Sequence, residues 1–295
     1  MKALLKTITA FKLKDEIDFD KLADSMAENQ FTDRLRIERQ SIGFLLFDSG
    51  EFLYTQMGAR LFQLKIQSAL LPPKAVKKEL DRRIAEAESI SGVKISKSEK
   101  DDMKDVIEFE MMQAVEFSTE KQVTAYFKGD MLYIGATGKN VELVTDKLRD
   151  ALGSLKIEPI TFNCGVVTEW LHETSPAPFA FTGNMTLCGA SEDTKKERAQ
   201  FTSMDADSDE IGASLESGKV VRNAEMNMLD GNGEVSLSFA ISEGSIGGLS
   251  FANLIEDEAK KDDKAAIFDS RVALTVASIN DIFDNLKSNG VVNEG

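Results

Sequence analysis

Val123-Thr124-Ala125-Tyr126-Phe127-Lys128-Gly129-Asp130-Met131-Leu132-Tyr133-Ile134-Gly135-Ala136, followed by Asn140 to Leu152, is the stretch that decides the fold. Residues 123–127 and 131–136 read as two strands joined by the Lys128-Gly129-Asp130 turn. The period then changes from two to nearly four. Val141, Val144, Leu148 and Ala151 fall on one helical face, and Gly153 supplies a stop. This is a β-β-α unit, which points to an antiparallel sheet covered by helices.

A similar order recurs downstream. Lys219 to Leu229 and Glu234 to Ile241 flank Asp230-Gly231-Asn232-Gly233, a strong hairpin turn. Arg271 to Ala277 alternates as a strand, and Ser278 is placed to cap a last helix with Ile279, Ile282, Phe283 and Leu286 inward. The sequence match between the two units is too weak to define a repeat. Upstream, Leu4 to Phe11 reads as a strand, and Asp18 caps a helix burying Phe19, Leu22, Ala23 and Met26. Glu51 to Gln56 and Arg60 to Gln67 flank Met57-Gly58 as a hairpin, with Phe62, Leu64 and Ile66 on one face.

Pro72-Pro73 ends that strand and starts a helix to about Ser89, with Val76, Leu80, Ile84 and Ala87 inward. Ser96-Lys97-Ser98-Glu99 matches a capping box before a second helix that buries Met103, Val106, Ile107, Met111 and Ala114.

The chain has 295 residues, 35 Lys and Arg, 50 Asp and Glu, and a formal charge of −15. Its length suggests roughly two domains. Hydrophobic residues make up 42%, an ordinary globular balance. No stretch approaches the roughly 18 apolar residues needed to span a bilayer, and the N-terminal apolar run is too short for a signal peptide. Two cysteines, Cys164 and Cys188, fit a reducing cytoplasm rather than a disulfide framework. With one histidine, His172, no tetrahedral zinc site of standard spacing can be written. GxxxxGK[ST], GxGxxG and GxSxG are absent, so no cofactor is expected.

Charge is uneven. Residues 74–100 hold eight basic and five acidic residues, whereas 192–269 hold eight and eighteen. Lys74, Lys78 and Arg82 are four apart and form a basic stripe, with Lys77 and Arg83 beside it. Such a stripe can meet successive phosphates, although the same pattern suits a solvated face balanced by Glu79, Asp81 and Glu86. Glu258-Ala259-Lys260 has a nuclease-like E-x-K spacing but sits in an acidic, turn-like run. Glu108, Glu110, Asp101 and Asp102 read as helix-surface carboxylates. Trp170 reads as a packing anchor, His172 as a surface residue, and Lys195-Lys196 with Arg198 as a polar loop.

Five segments carry a family resemblance. Leu71-Pro72-Pro73-Lys74-Ala75-Val76-Lys77 resembles the start of the first long helix of the RdgC family. Ser98 to Asp105 resembles its T-E-K-D-x-L-K-D run. Leu148 to Leu155 resembles L-R-K-x-L-G-S-L, and Thr168-Glu169-Trp170 belongs to an L-T-E-W-like segment. Glu216 to Val221 resembles E-A-G-K-V-V. They occur in family order from about residue 1 to 287.

The resemblance implies a recombination-associated protein that binds double-stranded DNA with little sequence preference. It implies a ring-shaped homodimer whose hole admits the duplex, a nucleoid location, and restraint of a RecA-type recombinase. It carries Lys196 and Arg198 onto the family's basic loop, Lys97 and Lys100 onto basic positions before T-E-K-D, and Lys74, Lys77 and Lys78 onto the helix. The chain departs at L-P-R-A-F, which here reads Met111 to Phe117, with Phe117 as the stand-in dimer contact. It departs again at G-W-x-P, reduced to Gly43-Phe44.

Together these readings predict an α+β fold of antiparallel sheets with flanking helices. Residues 1–70 and 118–165 form a central region, 71–117 a helical arm, and 166–295 a C-terminal α+β region. The expected activity is binding without catalysis, with no metal. The rivals are an acidic protein-interaction module and a metal-dependent exonuclease.

Overall fold

The structure, a computed structural model, describes residues 4–114, 118–191, 193–251 and 264–293. β1 (Thr9–Leu13) leads to Asp18, whose Oδ1 accepts the Lys21 N–H at 3.1 Å and caps α1 (Phe19–Glu28). β2 (Gln40–Leu45), β3 (Tyr54–Gln56) and β4 (Ala59–Ala69) follow, then α2 (Pro73–Ser91) and α3 (Lys97–Ala114). Next come β5 (Ser118–Lys128), β6 (Met131–Ile134), α4 (Lys139–Leu152) and β7 (Ile157–Pro159). The second half contains β8 (Thr161–Phe162), α5 (Cys164–His172), β9 (Phe179–Gly189), β10 (Arg198–Phe201) and α6 (Asp209–Glu216). It continues with β11 (Lys219–Leu229), β12 (Val235–Ser242), β13 (Ser245–Phe251), α7 (Lys264–Ser288) and β14 (Val292–Asn293).

A seven-stranded sheet runs β2-β4-β5-β6-β1-β7, with β3 also on β4. A five-stranded sheet runs β10-β9-β11-β12-β13, and β14 pairs with β8. The pairings within these sheets are antiparallel. The fold is therefore α+β.

β4 and β5 pair over their full length, from Ala59 opposite Lys128 to Ala69 opposite Ser118. Successive residues face opposite sides, and both sides are apolar here. Phe62, Leu64, Val123, Ala125 and Phe127 pack with Leu22, Met26, Val144 and Leu148 from α1 and α4. Ala59, Leu61, Tyr126 and Tyr133 join a second core with Val272, Val276, Ile279 and Leu286 of α7. The buried face of the five-stranded sheet, including Met185, Met226 and Phe239, enters that same core. Phe283 bridges the layers, with its ring 5.2 Å from Tyr133 and 5.6 Å from Phe162.

Several boundaries differ from the sequence reading. Arg271 to Ala277 is not a strand, and Ser278 caps nothing. Both lie inside the 25-residue helix α7. The β-branched run Val272, Thr275, Val276, Ile279 mimics alternation, but its spacings of three and four put every one of them on a single buried helix face. The first strand begins at Thr9 rather than Leu4, because β6 and β7 hold only residues 9–13. On α3, Val106 is half exposed and Ala114 exposed, while Met112 turns inward beside Ile107. On α2 only Val76 of the expected stripe is fully buried. The helix pair has one partner face each, so the stripe is narrow.

Acid–base pairs supplement that narrow contact. Ser96 and Glu99 form the expected reciprocal cap at 2.8 and 3.3 Å. Arg82 and Arg83 both donate to Glu79, and Arg83 also reaches Glu110 of α3 at 2.5 Å. Arg39, between α1 and β2, donates to Asp105 at 3.2 Å and to Glu108, tying α3 to the sheet.

Two outcomes are expected. The Tyr126 ring is fully buried and stacked on Tyr133 at 4.7 Å, yet its hydroxyl has no partner among the described residues. Leaving a hydroxyl unpaired costs about 1–3 kcal/mol, so Tyr126→Phe should raise stability by about 1 kcal/mol in urea denaturation. A loss of that size would reveal a missing partner. The second concerns acid. Hydrogen bonds from Arg82 and Arg83 lower the Glu79 pKa from 4.5 to about 2. A depressed folded value stabilises above the unfolded one and is lost as pH falls from about 4.5 toward 2. Protection of α2 and α3 amides against hydrogen exchange, relative to the intrinsic rate at each pH, should fall across that window, and Arg83→Gln should blunt the fall.

Candidate nucleic-acid interface

The basic residues singled out in the sequence fall into two groups on separate elements. The first lies on the helical pair. Pro72 and Pro73 start α2 where a missing N–H costs nothing, and Gly92, in the left-handed region at φ 68°, ends it. The intervening turns display Lys74, Lys77 and Lys78 to solvent. Lys97 is exposed at the first position of α3, and Lys100 is half-buried one turn later. None of these five has an ion-pair partner among the described residues. Arg82 differs: Glu79 holds it at 2.8 Å and Glu86 at 3.0 Å, so much of its field is cancelled.

The second group lies on the five-stranded sheet. Arg198 opens the edge strand β10, opposite Cys188 of β9. The β9–β10 connection is held by Ser191 and Thr194, whose hydroxyls are 2.8 Å apart, and by the Glu197 N–H donating to the Thr194 carbonyl at 2.8 Å. Lys196 sits on this connection. Both cations line a cleft of about 770 Å³, together with Lys195 and Arg222. Asn163 and Cys164, at the start of α5, form part of the cleft wall. α5 is fixed there by Thr168, whose hydroxyl donates to the Cys164 carbonyl at 2.7 Å and accepts the Val221 N–H at 2.9 Å. Among the described residues Glu243 is the one carboxylate in the lining, and it lies 2.9 Å from Arg222.

Sequence reading found Lys196 and Arg198 but not Arg222, nor that Cys164 and Cys188 share the cleft. Arg222 is a lone cation on an alternating strand, and only the pairing of β11 with β9 brings it to Arg198. Burial, and then Glu243, raise the Cys164 thiol to about 11, so it is a protonated wall residue at neutral pH.

Part of the acid of the last third shares the basic region, with Asp193 and Glu197 exposed on the β9–β10 connection and Glu243 in the cleft, and part lies elsewhere. Asp205, Asp207, Asp209, Glu210 and Glu216 are exposed on α6 and the loop before it. Trp170 is a packing residue, stacked on Phe179 at 5.7 Å, and His172 is exposed. The helix carboxylates are structural: Glu108 takes Arg39 and Lys104, and Glu110 takes Arg83. No group of three or more His, Cys, Asp or Glu able to hold a metal occurs among the described residues. Phe117 and the Glu258-Ala259-Lys260 stretch lie outside the described residues. No helix among those described is long and apolar enough to cross a membrane.

At the second departure from the family pattern, Gly43 is fixed by space. A Cβ there would lie 2.3 Å from the Phe31 backbone. Phe44, where the family has Trp, is fully buried against Phe62 at 6.2 Å.

Comparison with known proteins places the chain among its relatives. Residues 3–289 match the family model described as "Putative exonuclease, RdgC". The Recombination-associated protein RdgC of Psychromonas ingrahamii is 30% identical over 282 residues, covering 90% of each chain. Those of Yersinia pestis and Yersinia pseudotuberculosis are 28% identical over 248 residues, covering 81% of this chain and 80% of theirs. With a match that spans nearly its whole length, the chain belongs to the RdgC family of recombination-associated proteins.

Proposed function

We propose that this protein binds double-stranded DNA without sequence preference, as a symmetric dimer that encircles the duplex, and does not hydrolyse it. The observation that carries this reading is the distribution of charge. A chain of net −15 keeps five lysines, Lys74, Lys77, Lys78, Lys97 and Lys100, without an ion-pair partner among the described residues, on one helical pair. It gathers Lys196 and Arg198 beside two further cations around one cleft. Unpaired lysine and arginine are what phosphate contacts need, and they read no bases. Exposed acid around α6 turns DNA away from the remaining surface. Membership in a recombination-associated family fits a protein that occupies duplex needed by a RecA-type recombinase.

In this reading Phe117 is a dimer contact, and Arg82 serves the arm's internal pairing more than the DNA. The acidic surface around α6 also suits a basic protein partner, which is the alternative if DNA binding fails.

Lys78→Ala combined with Arg198→Ala should weaken binding alike for unrelated duplexes. It should flatten the slope of log K against log salt by about 0.9 per lost contact in each protomer, measured by fluorescence anisotropy. Lys260→Ala with Lys261→Ala should change little, because Glu256, Asp257, Glu258, Asp262 and Asp263 surround them in sequence. Equal effects from both pairs would mean diffuse adhesion. Light scattering should return twice 32.5 kDa at micromolar concentration. A monomer would remove the ring. End-labelled duplex incubated with the protein and magnesium or manganese should stay intact. Degradation abolished by Glu258→Ala plus Lys260→Ala would establish the exonuclease instead.

A further inference from the structure

The cleft between α5, β9, β10 and β11 has the size and charge of a small-ligand site. Its volume, about 770 Å³, falls in the range of small-molecule pockets, roughly 300–1,000 Å³. A duplex does not enter such a space. Four basic side chains, Lys195, Lys196, Arg198 and Arg222, line it against a single carboxylate among the described residues, Glu243. All four are exposed at the rim, so a small anion reaches them without unfolding any element. The N-terminal end of α5, with its partial positive charge, opens onto the same wall.

We propose that this cleft binds a phosphate monoester of nucleotide size, with Arg222 exchanging Glu243 for the phosphate. A monoester carries about −1.5 to −2 charges at neutral pH, against one for a diester link, and so suits a wall on which Lys196, Arg198 and Arg222 stand together. The Arg222–Glu243 pair is about two-thirds exposed on both sides, at 63% and 64%. An exposed pair of this kind contributes little and is readily exchanged. A planar guanidinium grips phosphate through two parallel hydrogen bonds, which the single 2.9 Å contact to Glu243 does not use in full. Because Lys196 and Arg198 belong to both sites, an occupied cleft competes with duplex at the sheet edge. The proposal adds a ligand to the DNA reading and does not depend on it.

The test uses the full chain and titration calorimetry with AMP, inorganic phosphate and adenosine. AMP should bind and adenosine should not. Phosphate binding as tightly as AMP indicates a site that reads phosphate alone, and tighter AMP indicates one that also holds the nucleoside. Arg222→Ala should weaken AMP binding about tenfold or more, the effect of losing a hydrogen bond to a charged group. Glu243→Gln, which removes the competing carboxylate, should tighten it. Both variants should melt with the parent. A merely structural role for the pair would move AMP binding in the same direction in both, which would overturn the proposal, as would no AMP binding at millimolar concentration. Cys164, the half-buried cysteine of the wall, lines the cleft, so AMP should also slow its alkylation by iodoacetamide at alkaline pH, where more of the thiolate forms. DNA binding by the same samples is read separately by anisotropy, so failure of the duplex reading leaves the AMP result interpretable.

Discussion

A strand that is apolar on both faces cannot rest against water on either. β4 and β5 pair along eleven positions and impose that condition over the half where Ala59–Leu64 faces Val123–Lys128, while Thr119–Gln122 at the other end are polar and exposed; the remaining architecture answers the apolar half. α1 and α4 cover one face, and α7 with the five-stranded sheet covers the other. Each fully buried Phe or Leu contributes roughly 1.5–3 kcal/mol relative to exposure, so leaving either side bare would cost more than a domain's net stability. The cover is bought with sequence distance. Residues near 130 pack against residues near 283, and the Leu4 N–H donates to the Thr275 hydroxyl at 3.2 Å. The two halves therefore share a core instead of meeting at a polar interface.

What could be read from sequence follows from how local each signal is. The β5–β6–α4 unit was legible because its turn, period change and C-terminal glycine lie within thirty residues. The β11–β12 hairpin was legible because Asp230 accepts N–H bonds from Asn232 and Glu234 at 2.8 and 2.9 Å, a local Asx geometry. β9 and β13 gave no clear pattern. Each contains a glycine at positive φ, Gly183 at 84° and Gly248 at 64°, and the neighbouring pairing shifts register there. Period-two reasoning fails at such a bulge. α7 was misread for the opposite reason, since β-branched residues serve a buried helix as well as a strand.

Site legibility divides in the same way. Lys74, Lys78 and Arg82 could be identified from spacing on one helix, whereas Lys97 and Lys100, on the next, were marked only by the family resemblance. The cleft could not, because its walls come from α5, the β9–β10 connection and β11, and antiparallel pairing alone places Arg222 near Arg198. The two cysteines, more than twenty residues apart in sequence, gave no hint of sharing a cavity. Gly43 illustrates a third case. The family resemblance marks it, but the reason, a backbone passing 2.3 Å from where its Cβ would be, is visible only in three dimensions.

Glu79 accepts from two arginines at once, and this gives the arm an unusual sensitivity to a single position. Most surface carboxylates balance one cation. Losing this one would unmask Arg82, which retains only Glu86, and leave Arg83 swinging on Glu110 alone. The helix face beside Lys74 and Lys78 would become markedly more cationic without any basic residue being added. Variation at this position therefore offers a simple way to retune the surface charge of the helix pair together with the hold of α2 on α3.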